Sequence, residues 1–150
     1  MRIIAGAKKG MKLRTPGGKT VRPTADRVRE ALFSILGPLV CDALFVDLYA
    51  GSGAVGIEAL SRGARQAIFV ERNRESINLI GENLRKSGFT DRALVLRREV
   101  NKALPYLAGK QVRADLIFLD PPYHIPEIPA VIKSIRELPI LSPGGLIIVE

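Results

Sequence analysis

The sequence predicts an α/β fold in which helices cover both faces of a doubly wound, mostly parallel sheet. The main observation is that, from Ala43 onward, short apolar runs of strand length alternate with segments of helical periodicity. This alternation is typical of parallel strands joined by crossover helices. The length of 150 residues suits a single hydrophobic core. We divide the chain into a basic N-terminal segment, residues 1–38, and an α/β core, residues 39–150.

The N-terminal segment is predicted to begin with a β-hairpin. Strand-like runs at Arg2–Ala5 and Met11–Arg14 flank the basic, glycine-bounded turn Gly6–Gly10. A two-stranded ribbon is only marginally stable by itself. We therefore expect the hairpin to lean on the rest of the domain or on a ligand.

A helix is predicted to follow the hairpin, entering at Pro23 and Thr24 and ending near Gly37. Apolar residues at helical spacing should form its buried face, namely Val28, Ala31, Leu32 and Ile35. The charged residues of the same helix are expected to face elsewhere: Arg27, Arg29 and Glu30.

Five strands and four further helices are predicted in the core. The strands are expected at Leu44–Leu48, Gln66–Glu71, Ala93–Arg98, Asp115–Asp120 and Gly145–Glu150. The helices between them are expected at Val55–Ser61, Glu75–Lys86, Asn101–Ala108 and approximately Pro126–Leu138. Gly63 and Gly88 should close the first two of these helices.

The net charge of +8 is concentrated at the N-terminus. The first 24 residues hold seven basic side chains and no acid, whereas the remaining 126 hold 16 basic and 15 acidic side chains. A concentrated cationic segment attracts polyanions, which favours nucleic acid as the partner, although such an arm could also serve only solubility. The hairpin residues predicted to contact nucleic acid are Arg2, Lys8, Lys9, Lys12 and Arg14.

The composition argues against several other classes of protein. One cysteine cannot form an internal disulfide, and a single histidine with a single cysteine gives no metal-ligand cluster. The apolar runs are far shorter than the roughly 18 residues of a membrane span, and none near the N-terminus has signal-peptide length. We therefore expect a cytoplasmic protein without a metal site.

A glycine-rich turn lies between the first core strand and its helix. Gly51, Ser52 and Gly53 fall on this turn, where the backbone can approach a ligand closely and the helix start offers unpaired N–H groups. Glu71 lies 20 residues beyond Gly51, at the end of the next strand, where a carboxylate can accept hydrogen bonds from both ribose hydroxyls. An adenosine-containing ligand is therefore expected at this edge of the sheet.

Two cofactors fit this pattern, because Gly51, Gly53 and Gly56 with Glu71 also satisfy the dinucleotide fingerprint. Asp47 favours S-adenosylmethionine, since a carboxylate just before the glycine turn would attract its cationic amino and sulfonium end and repel a pyrophosphate. Asp47 could also cap the loop by accepting hydrogen bonds from backbone N–H groups, which is compatible with either cofactor.

Residues around the loop complete the predicted cofactor site. Glu99, after the third strand, is expected to hold the adenine amino group, and Asn101 is expected to cap the next helix. Tyr49 could line the pocket or simply pack. Arg72, which follows Glu71, and Val100, which follows Glu99, are also predicted to belong to this site.

The strongest single signal is the tetrad Asp120-Pro-Pro-Tyr123, which directly follows an apolar strand. The carboxyl ends of the strands form the ligand crevice in a doubly wound sheet, so the tetrad should face the glycine loop. An exocyclic amine on a base is a poor nucleophile. Hydrogen bonds from its two N–H groups to the Asp120 carboxylate and the Pro121 carbonyl would aim its lone pair at a methyl group.

The remaining members of the tetrad have supporting roles in this interpretation. Pro121 and Pro122 would fix the backbone, and Tyr123 would stack on a base turned out of its helix. Alternatively, the prolines simply end a strand and Tyr123 packs at the rim.

Together these residues resemble the bacterial 16S ribosomal RNA (guanine-N2) methyltransferases, which modify a guanine of the small subunit. The likeness covers nearly the whole chain, and its motifs are Arg2–Gly6, Arg22–Phe33, Asp47–Gly53, Glu58–Gly63 and Asp120–Tyr123. It implies a Rossmann-like S-adenosylmethionine-dependent methyltransferase fold and ribosomal RNA or the small subunit as partner. It also implies cofactor binding by Asp47, Gly51, Gly53 and Glu71, and capture of the guanine amino group by Asp120–Tyr123.

The resemblance gives the N-terminal helix a role on the substrate side. It implies that Arg22, Arg27 and Arg29 contact RNA phosphates or close over the cofactor. A solvated helix face without a ligand is the alternative for these residues.

Two features depart from the family pattern. Glu99 stands where the family more often has aspartate, which is one methylene shorter. The chain stops at Glu150, within the fifth strand, whereas the family continues through a further helix and a final antiparallel strand pair, so we expect a truncated sequence. An unpaired fifth strand would leave a hydrophobic edge, for which we expect reduced solubility or a dimer across it.

Three other functions stay open on the sequence alone. A DNA adenine-N6 methyltransferase shares the glycine loop and the tetrad, but no inserted region is long enough to read a DNA sequence. A non-catalytic RNA-binding domain would use only the basic hairpin. A nicotinamide-dependent oxidoreductase would use the glycine loop alone.

Overall fold

A computed structural model of the protein describes residues 1–18, 23–122 and 127–150. The strands in these ranges are β1 (Leu44–Asp47), β2 (Gln66–Glu71), β3 (Ala93–Arg97), β4 (Ala114–Leu119) and β5 (Leu141–Val149). The helices are α1 (Pro23–Leu36), α2 (Ala54–Ser61), α3 (Arg74–Ser87), α4 (Val100–Gly109) and α5 (Ile128–Glu137). Short 3-10 turns occur at Pro16–Gly18, Gly37–Val40 and Thr90–Arg92.

The five strands form one sheet in the order β3-β2-β1-β4-β5, and every pairing is parallel. Val46 in the central strand lies opposite Ile68 on one side and Ile117 on the other. The chain winds outward from β1 through β2 to β3 and then crosses to β4, so the strand order reverses between β1 and β4. The predicted doubly wound parallel sheet is confirmed.

Alternate residues of each strand enter two separate cores. Phe45 packs with α1, α2 and α3 on one face, whereas its neighbour Val46 packs with α4 and α5 on the other. Phe45 stacks between Phe33 of α1 and Phe118 of β4, with ring centroids 6.2 and 6.5 Å apart. This layering confirms that helices cover both faces of the sheet.

Helix α2 packs unusually close to the sheet at Gly56. A Cβ atom at this position would lie 2.4 Å from Cε1 of Phe69 in β2, which is shorter than any real contact of this kind. The third glycine of the predicted motif therefore lets α2 approach the sheet, and this close approach keeps the start of α2 next to the carboxyl ends of β1 and β2.

Most predicted boundaries fall within two residues of the observed ones. The main difference is β5, which begins at Leu141 rather than Gly145, because a register irregularity between Ala114 and Leu116 extends its pairing with β4. Helix α4 begins at Val100 with Glu99 as its N-cap, so the prediction that Asn101 caps this helix is wrong. The predicted start of the last helix, Pro126, lies outside the described residues.

The buried face of α1 differs from the predicted one. Ile35 is 83% exposed and Val28 is 39% exposed, whereas Arg29, Phe33 and Leu36 are buried. The predicted apolar face is therefore wrong by about one position on the helix. The reason is that a buried ion pair of Arg29, described below, fixes the rotation of α1 against α2.

The predicted N-terminal hairpin forms and leans on the core, but the predicted strands Arg2–Ala5 and Met11–Arg14 are reduced to one antiparallel bridge between Arg2 and Lys12. Ile3 N–H donates to Met11 O at 2.9 Å, and Gly10 N–H donates to Ile3 O at 2.7 Å. The turn packs against the end of α2, where Lys8 N–H donates to Ser61 Oγ at 3.0 Å. Because α2 has eight residues, this contact lies about 12 Å along the helix from the glycine loop.

Candidate active site

A cavity of about 1030 Å³ opens at the carboxyl ends of the strands, where the strand order reverses. Residues from both predicted loops line it, including Gly51 and Ser52 after β1 and Asp120 to Pro122 after β4. In doubly wound sheets this reversal point is where ligands bind. The structure therefore brings together two loops that are far apart in the sequence.

The glycine loop, residues 49–53, is held in shape by the end of β2. Gly51 and Gly53 have φ values of 56° and 83°, a left-handed conformation that favours glycine, and Gly53 is the N-cap of α2. Glu71 Oε2 accepts a hydrogen bond from Gly51 N–H at 2.9 Å. Its other oxygen accepts from the N–H groups of Arg72 and Asn73, both at 2.9 Å. Glu71 therefore fixes the loop and still lines the cavity.

Asp47 is a deeply buried acid of this site, with only 1% of the residue exposed. Burial raises its pKa from 3.8 to about 7, with smaller contributions from the charges of Asp120 and Glu71, while backbone N–H groups of Tyr49 and Gly56 oppose the shift. No described residue donates a hydrogen bond to Asp47 Oδ1, although this oxygen is fully buried. A buried acceptor without a partner is costly, so this oxygen fits a ligand donor.

Tyr49 presents a second buried polar atom without a partner. Its hydroxyl makes no hydrogen bond with the residues described, and its ring packs against the core beneath α4 and α5. Burial and the nearby charge of Glu127 raise the pKa of this phenol. Both Tyr49 and Glu127 line the cavity, so the hydroxyl is available to a ligand there.

The described part of the tetrad lies at the mouth of the cavity. Asp120 is exposed, yet partial desolvation by the surrounding loops raises its pKa. Pro121 is half-buried and Pro122 is exposed. Tyr123 lies outside the described residues, as does its neighbour His124.

Sequence reasoning missed Glu150, which lines the cavity beside Asp120. Its backbone N–H donates to Leu119 O at 2.9 Å, and the pKa of its carboxyl is raised by burial and by the charge of Asp120. Its position at the end of a predicted parallel strand was a usable signal, because such residues gather at the ligand edge of the sheet.

Among the charged residues that line the cavity, acids outnumber bases by six to three, although the protein is strongly basic. Its acidic residues are Asp47, Glu71, Glu99, Asp120, Glu127 and Glu150. Its basic residues are Arg29, Arg72 and Arg98, and the Arg98 guanidinium lies 3.9 Å from the ring centroid of Tyr106. The predicted cofactor residue Val100 also lines the cavity. This distribution favours a cationic ligand over a pyrophosphate.

Arg29 does not have the placement expected of an RNA contact. It is 4% exposed, and its Nε lies 3.3 Å from Oε1 of the fully buried Glu58. Its terminal nitrogen also donates to Asp26 Oδ1 at 3.0 Å and to the backbone carbonyl of Arg2. Because carboxylates and a carbonyl already hold the guanidinium inside the protein, a phosphate contact by Arg29 does not fit the structure.

The other predicted RNA residues are accessible where the structure describes them. Arg2, Lys9, Lys12, Arg14 and Arg27 are exposed. Lys8 is half-buried against the end of α2, and Arg14 pairs with Glu82 at 2.6 Å. Arg22 lies outside the described residues. None of the hairpin cations lines the cavity; Lys8 lies at the end of α2 and Arg14 pairs with α3.

Glu58 is a second residue that sequence reasoning left without a role. Its carboxylate accepts hydrogen bonds from Ile4 N–H at 2.9 Å and Ala5 N–H at 3.1 Å, and it pairs with Arg62 at 2.8 Å as well as with Arg29. It therefore joins the hairpin, α1 and α2. A lone acid within the otherwise apolar helix α2 was the available signal.

Known proteins resemble this chain over its whole length. A family model described as "Conserved hypothetical protein 95" matches residues 1–150. The provisionally assigned rRNA methyltransferase YlbH of Bacillus subtilis (strain 168) is 40% identical over 150 residues, which are 100% of this chain and 82% of that protein. Ribosomal RNA small subunit methyltransferase D of Escherichia coli (strain K12) is 38% identical over 100% of this chain and 74% of its own length.

Solved structures show the same architecture. A hypothetical protein of Thermus thermophilus superposes with a TM-score of 0.85 at 34% identity, covering 99% of this chain and 84% of that one. A SAM-dependent methyltransferase of Agrobacterium tumefaciens, at 20% identity, superposes with a TM-score of 0.70 over 86% of this chain and 44% of that one. At that identity the likeness concerns the fold alone, which is the predicted Rossmann-like methyltransferase fold. Within the described ranges, no helix has the length and apolarity needed to cross a membrane.

Proposed function

This chain belongs to the conserved hypothetical protein 95 family, together with ribosomal RNA small subunit methyltransferase D, and we propose that it methylates the exocyclic N2 amine of a guanine in 16S ribosomal RNA with S-adenosylmethionine as donor. The membership supports methyl transfer to ribosomal RNA. The donor, the guanine and the cytoplasmic location are our proposals. One observation carries the proposed chemistry, namely that the unpartnered buried oxygen of Asp47 and the loop after β4 that holds Asp120 share one cavity.

The acidic cavity supports S-adenosylmethionine as the donor. Asp47 Oδ1 is a buried acceptor without a partner among the described residues, and the cationic amino group of this cofactor would satisfy it. Glu71 would accept hydrogen bonds from the ribose hydroxyls, while Arg72, Glu99 and Val100 would surround the adenine. Gly51 leaves open space where a Cβ would stand, so a ligand can approach the backbone closely. When bound, the cofactor supplies an electrophilic methyl group.

The loop after β4 supplies the groups for the base. The Asp120 carboxylate and the Pro121 carbonyl would each accept a hydrogen bond from the amine, which orients the nitrogen lone pair toward the glycine loop. The same carboxylate would stabilise the positive charge that develops on the nitrogen. The raised pKa of Asp120 also suits the later acceptance of a proton from that nitrogen.

Methyl incorporation tests this proposal directly. Tritiated S-adenosylmethionine is supplied with unmodified small ribosomal subunits, naked small-subunit RNA and duplex DNA in parallel, and the product is digested to nucleosides. We expect label in N2-methylguanosine from the RNA substrates. Label in N6-methyladenine of the DNA would identify a DNA methyltransferase. Binding of RNA without label or cofactor binding would identify a non-catalytic RNA-binding domain, and both outcomes would overturn the proposal.

A further inference from the structure

Asn83 on α3 connects the N-terminal hairpin with the glycine loop. Its side chain is fully buried, and its Oδ1 accepts a hydrogen bond from Arg14 N–H at 2.8 Å. Its Nδ2 donates to two carbonyls, Arg14 O at 3.1 Å and Ser52 O at 3.0 Å. One amide therefore bonds both the last strand-like residue of the hairpin and a residue of the glycine loop.

Other contacts place the base of the hairpin against the same loop. Ser52 Oγ lies 3.8 Å from Met1 Sδ, and Leu13 N–H donates to Met1 O at 2.8 Å. Met1 itself lines the cavity. The two ends of the hairpin thus meet at Ser52, whereas its basic turn lies near Ser61 at the far end of α2.

The geometry of the loop makes its position sensitive to these contacts. Gly53, next to Ser52, has a left-handed φ of 83° and forms the N-cap of α2 without a side-chain cap. Glu71 holds the loop from one side through Gly51 N–H, and Asn83 holds it from the other side through Ser52 O. Loss of the Asn83 amide would leave the second side without its anchor and would also leave partly buried backbone groups of Arg14 and Ser52 without this partner.

We propose that Asn83 is a positioning residue that links the placement of the basic hairpin to the cofactor-binding conformation of the glycine loop. This inference rests on the proposed function for the identity of both ligands. Linkage is reciprocal, so cofactor binding at the loop steadies the base of the hairpin, and RNA held by the hairpin strengthens cofactor binding. Asn83 touches neither ligand and acts only through Ser52 and Arg14.

Two matched variants separate positioning from simple loss of stability. In Asn83→Ala, calorimetric titration should show about fivefold weaker S-adenosylmethionine binding, because one hydrogen bond to the loop is lost. Ser87→Ala removes another fully buried polar group of α3, whose hydroxyl bonds only to the backbone of its own helix, and should bind within about twofold of wild type.

Methyl-transfer kinetics give a second readout. Asn83→Ala should raise the KM for the cofactor and leave kcat nearly unchanged, because saturating cofactor still occupies its binding site at the loop. Equal cofactor binding in Asn83→Ala and wild type would overturn the inference, as would equal weakening in Asn83→Ala and Ser87→Ala. Failure of wild-type protein to bind S-adenosylmethionine would instead contradict the proposed function.

Amide hydrogen exchange on the wild-type protein keeps the inference testable if Asn83→Ala does not fold. Saturating S-adenosylmethionine should slow exchange at Arg14, whose N–H bonds Asn83, and leave Lys9 unchanged, since its N–H bonds Gly6 O within the turn. Unchanged exchange at Arg14, or equal slowing at both residues, would overturn the link between hairpin and loop.

Discussion

At the scale of single residues, the proposed cofactor binding in the cavity depends on the protonation of Asp47. Its pKa of about 7 lies well above its ordinary value of 3.8, chiefly because of burial. The folded protein therefore holds this proton to higher pH than the unfolded chain does. The stabilising contribution of the protonated group is present below pH 3.8 and is lost as the pH rises through about 7.

This shift predicts that cofactor affinity depends on pH. A cationic ligand pairs with the ionised form of Asp47, so binding below the pKa must displace a proton. The dissociation constant for S-adenosylmethionine should rise about tenfold as the pH falls from 8 to 6, with proton release detectable by calorimetry in buffers of different ionisation enthalpy. Asp47→Asn should bind more weakly and show a nearly flat profile. An equally steep profile in that variant would assign the titration to another group.

At the scale of elements, Glu58 is the point where the hairpin, α1 and α2 meet. Its carboxylate is fully buried and accepts four donors, two from the hairpin backbone and two from arginines. A buried charge of this kind is tolerated only while its partners remain. The ion pair with Arg29 therefore determines which face of α1 is buried.

Removal of this buried partner should be far more damaging than removal of an exposed one. Arg29→Met should lower the free energy of unfolding by about 3 kcal/mol, since it leaves part of the Glu58 charge uncompensated. Arg14→Met breaks the exposed pair with Glu82 and should cost about 0–1 kcal/mol. Chemical denaturation of the two variants measures the difference, and equal losses of stability would argue against a structural role for the Arg29 pair.

The elements that sequence periodicity predicted well are those whose pattern has one physical cause. The bounds of β2 and α3 were predicted to within one residue. An apolar run of strand length and a helix closed by glycine each have few other structural interpretations. The buried face of α1 was predicted wrongly, because apolar spacing alone does not indicate that Arg29 is buried in an ion pair with Glu58, 29 residues away. Asp47, Glu71 and Asp120 could be expected at one edge because parallel strands end together, whereas Asn83 and Glu58 act through contacts that spacing does not encode.

At the scale of the whole molecule, the balance of charge differs between the cavity and the hairpin. Acids outnumber arginines by six to three among the residues that line the cavity, and none of the hairpin cations lines it. An acidic cavity suits a cationic donor, and a basic outer surface suits a polyanion. RNA that reaches both would extend from the cavity mouth to the hairpin turn.

This arrangement predicts a sequence-independent contribution of the hairpin to RNA affinity. Replacing Lys8 and Lys9 with Ala should weaken RNA binding and reduce its salt slope by roughly 0.7 per lost phosphate contact on single strands. Lys133 and Arg136 are exposed on α5, on the opposite face of the sheet from α2 and α3. Replacing both with Ala should leave the salt slope of RNA binding unchanged. A filter-binding series over salt concentration measures both, and an unchanged slope in the hairpin variant would remove Lys8 and Lys9 from the RNA contacts.

The central claim is that the glycine loop binds the methyl donor and the loop after β4 binds the amine. Methyl-transfer rates measured as a function of cofactor concentration, with unmodified small ribosomal subunits as substrate, test it most directly. Asp47→Asn should recover most of the wild-type rate at saturating S-adenosylmethionine, because this residue binds the donor. Asp120→Ala should lose at least about 100-fold in rate at every cofactor concentration with little change in cofactor KM. Near-normal turnover by Asp120→Ala, or its rescue by excess cofactor, would contradict the assignment of donor and amine to separate loops of one site.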